Sequence, residues 1–171
     1  GGAVNVDTLF SLIDRMEIAL LKVFHYTKAK NHEAAALAQD QADALKVAGD
    51  VYIYECMTGR RKPIVHRPLR WHDHHKVEGA WAGKEAAMDR PKTIMECAGQ
   101  LALTHAMYWD LQSSIQELKK MIDRDRGTPI VIDLQAHFVE KQRKIDLENN
   151  TRSRLIQLGD EMFYEQWEEH Q

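Results

Sequence analysis

The chain has 171 residues, 44% of them hydrophobic and 29% charged with both signs interspersed. That suffices to bury one domain's core without staples and sets disorder aside. A formal net charge of -3 gives no long-range pull on phosphate backbones, so nucleic acid is not the expected partner. Two cysteines, Cys56 and Cys97, are too few for a disulfide scaffold or a four-thiolate zinc site, and they read as buried helix residues in a reducing compartment. With no apolar run of membrane-spanning length and no secretory leader pattern, no membrane is expected and the expected location is cytoplasmic.

Gly1 and Gly2 read as a processing remnant. All four prolines, Pro63, Pro68, Pro91 and Pro129, fall between periodic segments and mark the joints, because a helix interior excludes a residue without an amide donor. The first segment starts at about Asp7, its expected N-cap, with Val6, Phe10, Ile13, Glu17, Leu20 and Phe24 at helical spacing. A second begins near Asn31, shows Ala38, Ala42, Leu45, Gly49, Tyr52 and Cys56 on one face, and stops at Gly59. These two form a first hairpin over about 7–59. The connector over 60–91 is rich in His and Trp and has room for a short helix around 72–88.

Thr93 with Glu96 has the spacing of a capping box, in which each side chain satisfies the other's backbone amide. A third helix follows, with Ile94, Cys97, Leu101, Tyr108, Leu111, Ile115, Leu118 and Ile122 on its apolar side up to the DRDRGTP turn. The string PIVI at 129–132 suggests a short extended entry before a last helix from about Asp133 to Trp167. This second hairpin covers about 93–168. The expected fold is therefore an all-α bundle of two antiparallel helical hairpins in a single domain.

The hairpins share a pattern. Residues 45–55 read LKVAGDVYIYE and residues 155–165 read LIQLGDEMFYE, so Leu, Gly, Asp, Tyr and Glu recur in register. An internal duplication is the natural reading. Glycine within a helix costs about 0.5–1 kcal/mol relative to alanine, so Gly49 and Gly159 imply close helix approach, with Asp50 and Asp160 in equivalent places about a pseudo-twofold axis.

Stepping by four and three along the last helix visits Phe138, Gln142, Ile145, Asn149, Arg152, Ile156, Gly159 and Phe163, an inward stripe with three polar members. A buried guanidinium needs a partner. One reading is a polar layer with Arg152 paired to an acid such as Asp110, Asp146 or Asp160. The other is an anion site in which the planar Arg152 fork takes a carboxylate or phosphate and Asn149 orients it. His105 can reach this layer from the neighbouring helix, and the candidate ligand-binding set is Arg152, Asn149, Asp146, Asp160 and His105. In the first copy the matching positions are Gln39 and Ala42, so the cation belongs to one hairpin only.

The run Ile145-Asp146, Asn149, Arg152, Leu155-Ile156, Asp160 resembles the signature of an uncharacterised family of small helical bacterial and phage proteins, a domain of unknown function. Trp109 matches a tryptophan in that family's preceding helix, although this chain reads WDLQS where the family has acids after the tryptophan. The string LIDRMEIALLKVFH is similar to the family's first helix. The resemblance covers mainly residues 105–163, with 9–25 in addition, and implies an all-helical fold and a recurrent Asp/Asn/Arg cluster. It carries no activity with it.

His66, His72, His74 and His75 crowd the connector. On a helix, His72, His75 and Glu78 share a face and offer ligand types that a divalent metal accepts; no other cofactor is expected. The Glu-x-x-His tetrapeptide of di-iron bundles is absent, as are phosphate-binding and nucleophile-elbow glycine motifs. His25 and His105 read as core histidines, and Arg60, Arg61, Lys62, Arg67 and Arg70 as the one cationic concentration. Phe163, Tyr164 and Trp167 either complete the core or cover a homodimer. The expected function is a binding or accessory protein acting through a protein partner or a small anionic ligand. The alternative is a metal-assisted hydrolase or phosphate-processing enzyme built on His72, His75 and Glu78.

Overall fold

The computed structural model describes residues 7–65 and 90–171. The metal triad expected at His72, His75 and Glu78, and the short helix expected around it, lie outside the described residues. Four helices run in order, α1 (Leu9–Lys28), α2 (His32–Met57), α3 (Ile94–Arg124) and α4 (Val131–Glu169), with no strand among the described residues. None of the four is long and apolar enough to cross a membrane. Helices α1 and α2 pair as one hairpin and α3 and α4 as the other.

Local chemistry sets the ends. The N-cap of α1 is Thr8, one residue beyond Asp7. Thr8 Oγ1 accepts from the Ser11 amide at 3.0 Å and Ser11 Oγ accepts from the Thr8 amide at 2.8 Å, a reciprocal box that Asp7 does not offer. Asp7 instead reaches Arg15 at 2.7 Å. The α1–α2 turn is tight: Lys30 takes a left-handed φ of 59°, and Asn31 Oδ1 accepts from Ala34 N to start α2. Gly59, at φ 76°, stops α2 where a side chain would be strained. At α3 the Thr93 hydroxyl accepts from Glu96 N, but the Glu96 carboxylate accepts from Lys92 N at 2.7 Å, so the box closes one residue early. The PIVI string is not extended: Ile130 is already helical in φ and ψ, and α4 begins at Val131.

Helix α1 is the centre of the arrangement. It packs against α2 on one side and against both α3 and α4 on the other, whereas α2 lies along α1 and touches α4 only towards its carboxyl end. The core joins Phe10 and Leu12 of α1, Tyr52 and Cys56 of α2, Cys97 and Leu101 of α3, and Leu155 and Leu158 of α4. Phe163 and Trp167 pack against it, and Trp167 Nε1 donates to the Cys56 carbonyl at 3.0 Å.

Two expected faces are only partly inward: Phe10, Ile145 and Gly159 are buried and Ile13, Ile156 and Phe163 pack on the core, but other members are not. Leu20 and Phe24 of α1 are exposed, because a helix with neighbours on two sides buries Leu9, Phe10, Leu12, Asp14 and Ala19 rather than one stripe. On α4 the buried line runs through Leu134, Ile145, Thr151, Leu155 and Leu158, leaving Gln142 exposed and Asn149 and Arg152 half-buried at its edge.

The repeated Gly-Asp pairs sit in corresponding helices but in different surroundings. Around Gly49 nothing lies within van der Waals reach of a methyl group, and Asp50 is exposed. Close approach therefore explains Gly159 alone, where an added methyl would collide with the fully buried Phe10 ring. Gly49→Ala should stabilise the protein by about 0.5–1 kcal/mol, the ordinary helix-propensity gain. Gly159→Ala should destabilise it by about 1–3 kcal/mol through overpacking. Urea unfolding of the two variants reads both signs.

Candidate functional site

Where α1 meets α3 and α4, two ionisable side chains converge on one buried carboxylate. Asp14, with its side chain only 4% exposed, accepts Arg152 Nε on Oδ1 at 2.8 Å and Arg152 Nη2 on Oδ2 at 2.6 Å. This is a two-pronged fork from α4 to α1. From α3, His105 Nε2 comes to 2.9 Å of Oδ1, although off the line of a well-formed hydrogen bond. The imidazole thus adds proximity more than a directed bond. Burial would raise the Asp14 pKa, but the two hydrogen bonds and the charge of Arg152, with the close approach of His105, outweigh it and hold the carboxyl below its ordinary range. The same bond raises Arg152 further.

The acid partner of Arg152 is therefore Asp14, not Asp110, Asp146 or Asp160. Asp160 is buried about two turns further along α4 and accepts the Phe10 backbone amide at 2.8 Å. That amide belongs to the first turn of α1, which has no carbonyl partner within its own helix, and a carboxylate there also meets the positive end of the helix dipole. Asp50, its repeat counterpart, is exposed. Asp146 faces solvent. Asn149 lies half-buried one turn before Arg152, its side chain without a hydrogen bond among the described residues. So of the five residues expected at a ligand site, Arg152 and His105 share a partner, Asn149 lies beside them, and Asp160 and Asp146 stand apart.

Glu17, one turn after Asp14, completes the cluster. Its Oε1 is buried without a hydrogen-bond partner, and burial together with the neighbouring Asp14 charge pushes its pKa up to about 8. At neutral pH this carboxyl is mostly protonated. Gln100 Oε1 of α3 is likewise buried and unpartnered. Cys97 donates to the Leu155 carbonyl at 3.0 Å, and its thiol, buried and facing Asp160 and Glu17, is pushed up to about 12. Such a thiol is a core residue, not a nucleophile.

Further along α1, His25 lies flat on Trp109 at 4.3 Å with 2° between the rings. The tryptophan of the family-like pattern is thus an α1–α3 contact. A groove of about 380 Å³ opens between α3 and α4, where Lys141 and Lys144 face Asp110 and Glu148 over Met107, Leu111 and Leu147. Its charges balance, so it offers an anion no field. Among the described residues no three His, Cys, Asp or Glu side chains are placed to hold a metal ion.

The sequence does not single out Asp14. An acid inside LIDRMEIALL reads as a solvated helix residue, and the one signal is Glu17, which falls on an apolar register where a charge is out of place. Compared with known proteins, the chain matches no family model, no curated protein and no solved structure.

Two measurements test this cluster. A group raised from 4.5 to about 8 on folding contributes its full stability below pH 4.5 and loses it as pH climbs through 8. Glu17→Gln should remove that decline, seen as a flatter urea midpoint between pH 5 and 8.5. Arg152→Ala, which strands a buried carboxylate, should cost roughly 3 kcal/mol at pH 7, and adding Asp14→Asn to it should recover part of that loss.

Proposed function

We propose that this chain is a binding protein that receives a small anionic ligand, a carboxylate or a phosphate, at the open edge of Arg152 and acts through a protein partner. One observation carries the reading. Asp14 occupies Nε and Nη2 of the guanidinium, while the Arg152 side chain stays 38% exposed and Asp14 is 4% exposed. A planar fork with one edge paired and anchored keeps its outer N–H groups aimed at solvent in a fixed orientation, which lowers the ordering cost of binding. The Asn149 amide, without a side-chain bond among the described residues, stands one turn away as the second donor.

Because Asp14 neutralises Arg152, attraction rests on directed hydrogen bonds rather than on net charge, and affinity for a simple anion should be modest. The half-exposed position and the acidic, proton-holding Glu17 behind it favour a ligand that approaches from outside rather than one enclosed in the bundle. The likeness of 145–160 to the uncharacterised helical family, and the duplication implied by the two L-xxx-GD-xxx-YE strings, belong to the same proposal. In this view the second hairpin gained the cation where the first kept Ala42.

The test is thermal denaturation with increasing inorganic phosphate or acetate, using sulfate at matched ionic strength to expose general salt effects. Wild type should gain several degrees with one anion and less with the others. Arg152→Lys retains the charge but loses the fork, and it should lose most of that gain; Asn149→Ala should lose part of it with little change in unliganded melting. Equal shifts in wild type and both variants would remove the anion site.

A further inference from the structure

Helix α2 has a neighbour along one side and none along the other among the described residues, since it lies on α1 and reaches α4 only near its end. On the open side Val47, Val51 and Tyr54 follow at steps of four and three and are 63%, 47% and 55% exposed. Leu37, at 61%, lies on the same side nearer the amino end, beyond Asp40 and Ala44. A solvated helix face ordinarily carries polar residues at such spacing, and an apolar line there marks a contact surface.

Its margin is acidic. Asp40, Asp43 and Asp50 are all exposed on this side of the helix. Over its length α2 holds five acids, Glu33, Asp40, Asp43, Asp50 and Glu55, against one lysine, Lys46, which sits 3.6 Å from Asp43; beyond its end Arg61 meets Glu55 at 3.7 Å and Arg60 lies over the Tyr54 ring, so the acidic margin is that of Asp40, Asp43 and Asp50. Two copies pairing through this face about a twofold axis would bring the aspartates towards one another, and like charges across an interface cost several kcal/mol. The complementary surface is an apolar line flanked by lysine or arginine.

We propose that the outer face of α2 docks an amphipathic, basic helix of a partner protein, with Val47, Val51 and Tyr54 as the apolar contact and Asp43 and Asp50 as the charged margin. Helix-on-helix docking of this kind reads apolar anchors at steps of three and four, and the acidic margin sets partner choice and encounter rate. The proposal deepens the reading of the chain as a binding protein yet uses no residue near Asp14, so the two can fail separately.

The experiment is fluorescence anisotropy with three labelled synthetic peptides of equal length. One has leucines at heptad spacing flanked by lysines, one replaces the lysines by glutamates, and one keeps the lysine composition in scrambled order. The wild-type protein should bind the ordered lysine peptide at least tenfold more tightly than the other two. Val47→Ser with Val51→Ser should weaken it at least fivefold while circular dichroism and melting stay near wild type. Asp43→Lys with Asp50→Lys should turn the preference towards the glutamate peptide. Arg152→Lys should leave peptide binding unchanged, which separates this surface from the anion site. Equal binding of ordered and scrambled lysine peptides overturns the proposal, as does indifference to the valine substitutions. So does a dimer in sedimentation equilibrium that the valine substitutions abolish, because the occupant is then a second copy.

Discussion

Two carboxylates cross between the hairpins in opposite directions, and the architecture hangs on that exchange. Asp14 leaves the first hairpin to hold Arg152 of the second. Asp160 leaves the second to hold the first-turn amide of the first. Each is almost fully buried, so each would be a liability if the opposite hairpin were displaced. A hydrophobic interface tolerates sliding, whereas a paired buried carboxylate does not, since a shift of one turn leaves an unpaired charge in a low dielectric. The apolar contacts supply attraction; the two acids supply register. Gly159 adds to this register by letting Phe10 lie directly on the α4 backbone beside Asp160.

The same geometry explains why Glu17 holds its proton. With Asp14 ionised and fixed by Arg152, a second negative charge one turn away in a buried position is unfavourable both by desolvation and by repulsion. Neutrality of Glu17 thus follows first from its burial and then from the charge of Asp14, and the two acids divide into an anion and a proton store. His105 lies against that anion at 2.9 Å.

How far the sequence discloses this depends on the number of neighbours a helix has. Ala38, Ala42, Tyr52 and Cys56, read from one face of α2, are all buried, because α2 has one principal neighbour and so one inward stripe. Helices α1 and α4 are pressed from two sides, and for them a single stripe is the wrong description; the period gives a face but not its width. That is why Leu20 and Phe24 were expected inside and are exposed, and why Asn149 and Arg152 lie at the edge of the buried line. Gly49 and Gly159 are alike in sequence, and only the arrival of Phe10 from 149 positions away makes one indispensable. Arg152 was legible as a cation in need of a partner. Asp14 was not, because nothing local distinguishes a buried aspartate from a solvated one when its partner is 138 residues distant.

Those separations also bear on the order in which the chain assembles. Each hairpin closes through a short turn and can form early, but the Phe10–Asp160 bond spans 150 residues. Closing a loop of that length costs about 4 kcal/mol in chain entropy, which no single hydrogen bond repays. The first helix must then wait, its amino end uncapped by tertiary contact, until the last helix has been synthesised and the hydrophobic faces have met. The contacts that fix the native register are accordingly among the last to form, and on a ribosome the amino-terminal hairpin spends most of its synthesis time with Phe10 and Asp14 still exposed to water.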